Sequence, residues 1–173
     1  MTQEIDMRPT HFLETVISPT LKLMEIYTGI IYSARAENLL LAIALQESNL
    51  MARIQGPNEA GPARSFWQFE KIGVVDVFQR QKTALKVMCD ALVLPCEPGK
   101  LHLMMAYNDA IACVIARLTL RLDQRPLSVA ATEDGAWDYY LDNWRPGKPH
   151  RNRWAQTSWP VACSTTNFIA GRV

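Results

Sequence analysis

A mainly α domain is the fold this sequence predicts, and three observations predict it. Apolar residues recur at the three- and four-residue spacing of one helix face over several long segments. No stretch alternates apolar and polar residues for long, so strand signals are scarce. The chain has 173 residues, 49% of them hydrophobic and 20% charged, which suits a globular protein with one full core. No internal repeat or low-complexity tract divides it. Residues 1–173 are therefore read as a single domain of six or so helices.

The elements follow in order. Ser18-Pro19 makes an N-cap and first helical residue, and Leu21, Met24, Tyr27 or Thr28, and Ile31 continue at helical spacing. A second helix covers about 35 to 50 and is greasy on nearly every side. "QGPNEAGPARS" then brings Gly56, Pro57, Gly61 and Pro62 in quick succession, so about 52–70 is a loop with room for a short irregular or β-like hairpin. An apolar-periodic helix from about 74 to 94 stops at Pro95. "EPGK" turns the chain into a helix from about 99 to 121, where Leu101, Met104, Asn108, Ile111, Ile115, Leu118 and Leu122 share a stripe. Asn108 is polar where packing wants an apolar residue, so it needs a hydrogen-bond partner. "RPLSVAATEDGAWDYYLDNW" is a further helical region, weakened at Asp134-Gly135. With the basic loop after it, it makes up the C-terminal part, 126–173.

Charge and cysteine usage exclude several classes. The formal net charge is +1, so no global field recruits nucleic acid or an anionic membrane, and no nucleic-acid partner is expected. One local exception is "WRPGKPHRNRW", where Arg145, Lys148, Arg151 and Arg153 crowd together; it reads either as a solvated loop or as a patch for an anionic polymer. Cys89, Cys96, Cys113 and Cys163 form no C-x-x-C pair and His11, His102 and His150 are scattered, so no metal site or other cofactor is expected. Cys89 and Cys96 flank "DALVLP" as a candidate bridge, against which stands the reading of buried free thiols. The N-terminus carries acids where a signal peptide would carry bases, and no apolar run approaches the ~20 residues that span a bilayer. The expectation is a chain made in the cytosol without membrane insertion. To act outside, it would need to be carried or released.

Within "LLLAIALQESNLMARIQ" one residue is out of place. Leu40, Ile43, Ala44, Glu47 and Met51 fall on one helix face. A carboxylate ending such a stripe is costly to ionise unless it is paired or at the edge of a cavity, and that cost raises its pKa. A raised pKa is what a general acid working near neutral pH needs. The competing reading leaves Glu47 at the helix end, paired with an arginine and half in water.

Three segments in order sharpen this choice: "QES" at 46–48, "SFWQF" at 65–69 and "MAYND" at 105–109. Over about 35–120 the sequence resembles the lysozyme-like lytic transglycosylases that cleave peptidoglycan, part of the superfamily that includes goose-type lysozymes. That family carries Glu-Ser, then Gly-Leu-Met-Gln, then Ala-Tyr-Asn, and the separations here suit it. Two departures are clear: Ser65-Phe66-Trp67 stand where the family has Gly-Leu-Met, and Asp109-Ala110 where it has Ala-Gly. The resemblance implies a lysozyme-like helical fold, glycan strands as partner, Glu47 as catalytic acid, Ser48 and Tyr107 steadying acid and substrate, and Gln68 contacting sugar. Among the aromatics, Trp67, Phe66 and the later Trp137, Trp144, Trp154 and Trp159 are weighed as flat faces under a sugar ring against core packing, and Trp67 is preferred because it sits in the loop after the acid's helix. Asn108 is weighed as a ligand contact against a buried structural bridge.

Glycosidic cleavage needs a proton for a poor leaving group while oxocarbenium character develops on the sugar. A hydrolase adds a second carboxylate, for which Glu59 and Glu70 are candidates. A transglycosylase uses the muramic acid C6 hydroxyl instead and leaves 1,6-anhydro ends. Three readings therefore stand: a transglycosylase, a muramidase on the same fold, and a virion component that binds glycan with little activity. The small domain without an export signal looks like a phage product, acting at lysis or during entry.

Overall fold

The computed structural model describes residues 8–56 and 61–171, and they are mainly helical. The N-terminal run is α1 (Arg8–Phe12), a π-helical turn (Leu13–Ile17) and α2 (Ser18–Thr28), wound as one continuous rod. The sequence predicts a helix start at Ser18-Pro19; instead the helix begins upstream and absorbs the proline. Proline lacks the N–H that closes a helical turn, and its ring crowds the carbonyl four residues back. The chain widens just before it, with the Ser18 N–H bonding Leu13 O five residues back. The same device recurs near the C-terminus, where a π turn (Trp154–Ser158) precedes Trp159-Pro160 and the Trp159 N–H bonds Trp154 O. Two prolines, two π turns, one cause.

α2 ends at Gly29, whose φ of 69° is the left-handed conformation that glycine adopts at no steric cost. α3 (Ala34–Ser48) starts at Ser33, whose hydroxyl accepts from the Ala36 N–H, and stops at Asn49 in the left-handed region at φ 53°. Residues Leu39 to Gln46 of α3 are all buried. α7 (Asp109–Leu120) is its counterpart, buried from Ile111 to Leu120. These two helices form the centre, and the remaining elements cover them.

Two predicted long helices are broken. The 74–94 helix is α4 (Lys71–Arg80) and α5 (Lys82–Ala91), separated by Gln81 at φ −127°. The 99–121 helix is α6 (Pro98–Met104) and α7, separated at 105–108. Asn108 is the reason for the second break. Its backbone is extended and its side chain accepts from the Ile111 N–H, so it caps α7 rather than sitting in a stripe. A 3₁₀ turn (Leu127–Ala131) then leads to α8 (Glu133–Trp144), capped by Thr132. Gly135 does not weaken this helix: a Cβ there would collide with the Val129 carbonyl, so the glycine permits the 3₁₀ turn to pack against α8. α9 (Arg151–Arg153), the second π turn and α10 (Trp159–Ala170) complete the chain, with α10 lying along α3.

The loop after α3 is irregular, with isolated antiparallel bridges Ile54 to Arg64 and Arg64 to Phe69. All four cysteines are free thiols. Among the described residues no helix is long and apolar enough to cross a membrane, and no cluster of three His, Cys, Asp or Glu side chains could hold a metal ion.

Candidate functional site

Glu47 occupies the last turn of α3, and the left-handed Asn49 ends the helix just beyond it. That turn places Glu47 at the rim of the core, half-buried, where it lines a cleft of about 1580 Å³. The cleft is larger than the ~300–1,000 Å³ typical of small-molecule sites, which suits a stretch of polymer. Met51, assigned by spacing to the stripe of Glu47, lies beyond the helix end and is 69% exposed.

The carboxylate has a built environment. The Tyr140 hydroxyl of α8 donates to Glu47 Oε1 at 2.6 Å. Tyr140 is only 2% exposed, and its ring stacks on Trp154 at 5.3 Å with 13° between the planes. Burial pushes the Glu47 pKa up; the Tyr140 hydrogen bond and the charge of Arg153 pull it back, and burial wins. Burial and then the neighbouring carboxylate push the Tyr140 phenol far above its ordinary value, so it stays a donor. Arg153 itself is anchored, with Nη2 donating to Leu45 O at 2.7 Å. Gln46, buried beside the acid, donates to His150 O at 3.1 Å and accepts from Ser158 Oγ at 2.9 Å. The C-terminal segment is thus pinned to the end of α3, and both readings of Glu47 hold in part: it is near an arginine and partly wet, yet burial dominates its titration.

Replacing Tyr140 by Phe tests this arrangement. The hydroxyl favours the ionised carboxylate, so its loss should move the alkaline limb of any pH–activity profile of this site to higher pH. Turnover should fall roughly tenfold, the scale of one hydrogen bond to a charged group. An unmoved limb would mean that Glu47 does not titrate in the rate-limiting form.

The other predicted residues divide. Gln68 lines the cleft in a left-handed turn at φ 52°, and its Nε2 donates to Ser65 O at 2.7 Å and Ala52 O at 3.2 Å. Its amide oxygen carries no hydrogen bond among the described residues. Ser48 also lines the cleft, but its hydroxyl serves backbone, lying 2.8 Å from Phe66 O and 3.1 Å from Ala44 O. It ties the 65–69 turn to α3 and makes no hydrogen bond to Glu47. Trp67 offers no face to a sugar: it is 0% exposed and its indole N–H donates to Leu40 O at 2.8 Å. Phe66 is buried edge-on against Phe12, their centroids 5.2 Å apart, with the Arg53 guanidinium over its ring. This turn fills the core, which is why its side chains are bulky.

Tyr107 and Asn108 stand outside the cleft lining. Tyr107 sits in the turn between α6 and α7, with 83% of its surface in water. The hydroxyl that reaches the acid comes from Tyr140. Tyr107→Phe should accordingly leave stability and turnover within about twofold, as for surface changes generally; a tenfold loss of turnover would return Tyr107 to the site. Of the predicted second carboxylates, Glu70 lines the cleft, exposed at the start of α4, and Glu59 falls outside the described residues.

Tyr140 escaped sequence reasoning as a site residue, and Trp144 was weighed for a sugar face but set below Trp67. A signal existed: Trp137, Tyr140 and Trp144 recur at three and four residues on α8, an aromatic stripe with one polar tip. Trp144 is half-buried on the cleft wall, packed against Phe69 at 5.3 Å and donating to Trp67 O at 3.1 Å. It offers the aromatic surface assigned to Trp67. Three non-glycine residues with positive φ also line the cleft, Asn49, Gln68 and Arg145 (φ 53°, 52° and 49°). Such conformations cost ~1–3 kcal/mol each and concentrate at functional sites. In comparison with known proteins, no family model matches the chain, no curated protein matches it and no solved structure matches its fold.

Proposed function

We propose that this chain cleaves glycosidic bonds by acid catalysis at Glu47, as a peptidoglycan lytic transglycosylase. One observation carries the proposal: a carboxyl group held above its ordinary pKa by burial, oriented by a tyrosine hydroxyl, on the wall of a cleft sized for a polymer. The order of the Glu47-Ser48, Gln68 and Ala106-Tyr107-Asn108 motifs supports the substrate class and a lysozyme-like helical fold, although its tyrosine lies outside the cleft. The small wall-directed domain fits a phage context of lysis or entry.

In this reading Glu47 donates its proton to the oxygen linking N-acetylmuramic acid to N-acetylglucosamine. The C1–O bond breaks as oxocarbenium character grows at C1. The C6 hydroxyl of the same muramic residue then bonds to C1, and its proton returns to the Glu47 carboxylate. No water is consumed, and the attack benefits from its intramolecular geometry. Tyr140 holds the carboxylate in both protonation states.

The three cleft aspartates favour this route. Asp123 and Asp142 are clamped by Arg125 at 2.5 and 2.8 Å, and Asp76 faces Arg80 at 3.4 Å. Arg125 holds Asp123 well below the usual carboxylate range, and as a locked ion-pair partner it is a poor nucleophile. Digestion of purified peptidoglycan followed by mass analysis tests the reading: anhydro ends are lighter than reducing ends by one water. Reducing ends alone would overturn it.

A muramidase is the second reading, because Glu70 lines the same cleft without an ion-pair partner among the described residues. Glu70→Gln decides between them. A transglycosylase should keep more than half its activity with anhydro products, whereas a hydrolase using Glu70 should lose ~10²-fold or more.

A further inference from the structure

The run of four bases at 145–153 resolves into two unlike parts. Arg151 turns away to α8, where it pairs with Glu133 at 2.7 Å and also with Asp134. Arg145, Lys148 and Arg153 line the cleft of Glu47. None of these three has a carboxylate within ion-pair distance among the described residues. Arg145 reaches only the Asp142 carbonyl and Arg153 the Leu45 carbonyl. The three cleft aspartates, Asp123, Asp142 and Asp76, are already taken by Arg125 and Arg80. The exposed loop that carries Arg145 and Lys148 is tied at both ends: the hydrogen bonds of Gln46 to His150 and Ser158, and of Arg153 to Leu45, fix its far end to the helix that carries the acid. The left-handed backbone at Arg145 sets its near end at the C-terminus of α8.

Cations without a carboxylate partner, lining a polymer-sized cleft, call for an anionic group carried by the polymer. Resting on the proposed wall substrate, we infer that Arg145 and Lys148 form a subsite for carboxylates attached to the glycan strand. This subsite makes the enzyme selective for acid-bearing strands over neutral ones. On a peptidoglycan strand such carboxylates have two sources: the stem peptide, and the lactyl group of muramic residues from which the peptide has been removed. Arg153 is left out of the test because its charge also acts on Glu47.

The experiment compares the full-length wild type, Arg145→Gln/Lys148→Gln and Lys148→Glu on three substrates. These are native peptidoglycan, the same wall with its carboxylates amidated, and amidase-stripped strands that keep only the lactyl carboxylate. On native wall the double variant should be roughly three- to tenfold slower, the scale of two exposed ion pairs, and Lys148→Glu slower again. On amidated wall the gap to wild type should close. Moderate salt should shrink the native-wall gap, because exposed charges are screened. A deficit that persists on stripped strands assigns the lactyl group; one confined to native wall assigns the stem peptide. An equal deficit on all three substrates, or no deficit on any, would overturn the subsite while leaving the proposed activity intact. Failure of wild type to cut any of the three would instead remove the activity and the subsite with it.

Discussion

Glu47→Gln should cut glycan cleavage by ~10²–10⁴-fold, the usual scale for a general acid, while the protein stays folded. The amide keeps the volume and can still accept from the Tyr140 hydroxyl, so the 2.6 Å contact has a successor. What it lacks is the proton. Stability gives an independent check with a definite sign. Burial raises the folded-state pKa of Glu47, so its stabilising protonated form is fully present below the unfolded value of ~4.3 and is lost as pH rises through the folded value. A neutral glutamine carries no such loss. The variant should match wild type in acid and gain relative to it as pH rises toward neutrality, as urea titrations at several pH values would show. Activity that survives within a few fold would remove Glu47 from the chemistry. Equal stability profiles at all pH values would remove the raised pKa.

Local signals made some of this legible in the sequence. The greasy run of 39–45 and the carboxylate after it led to Glu47, because burial and its cost are properties of one helix. Turn chemistry was less well read. Asn108 followed by an acid and an apolar run is an N-cap signal, yet the apolar stripe 101–122 is so regular that it pointed to one uninterrupted helix. Propensity lost to a side chain competing for the backbone. Pro19 was read as a helix start, and neither it nor Pro160 was legible as the cause of a π turn, since a widened turn has no periodic signature. Partners from distant elements were the least legible. Tyr140 lies 93 residues from Glu47, and Arg153 lies 108 residues from the Leu45 carbonyl it caps. Periodicity says which face of a helix is apolar, not which helices meet, so Tyr107 of the Ala-Tyr-Asn segment was preferred to Tyr140, which no motif marks but which is buried against the acid. Trp67 was misplaced for the same reason: a loop position implied access to solvent, but this turn folds under α3.

Trp67→Ala is the change expected to destabilise the fold most. The side chain is 0% exposed, its ring lies 5.4 Å from that of Phe12, and its N–H reaches across to Leu40 O in the middle of α3. Truncating it to a methyl empties a large volume against a helix that is itself buried all round, where neighbours have little freedom to collapse inward. Trp→Ala changes in such cores cost ~3–5 kcal/mol. For a chain of this size that corresponds to a melting temperature lower by on the order of 10 °C. Trp67 also carries the carbonyl that receives the Trp144 indole, so the cleft wall should loosen with the core. The milder Trp67→Phe should lose the bond to Leu40 and part of the volume, and fall between the two. A sugar-stacking residue would behave differently: affinity for glycan would drop while the melting temperature stayed put. Calorimetry of the free protein therefore separates the two roles before any substrate is added. A melting point within about 2 °C of wild type for Trp67→Ala would refute the buried placement and return the ring to the cleft.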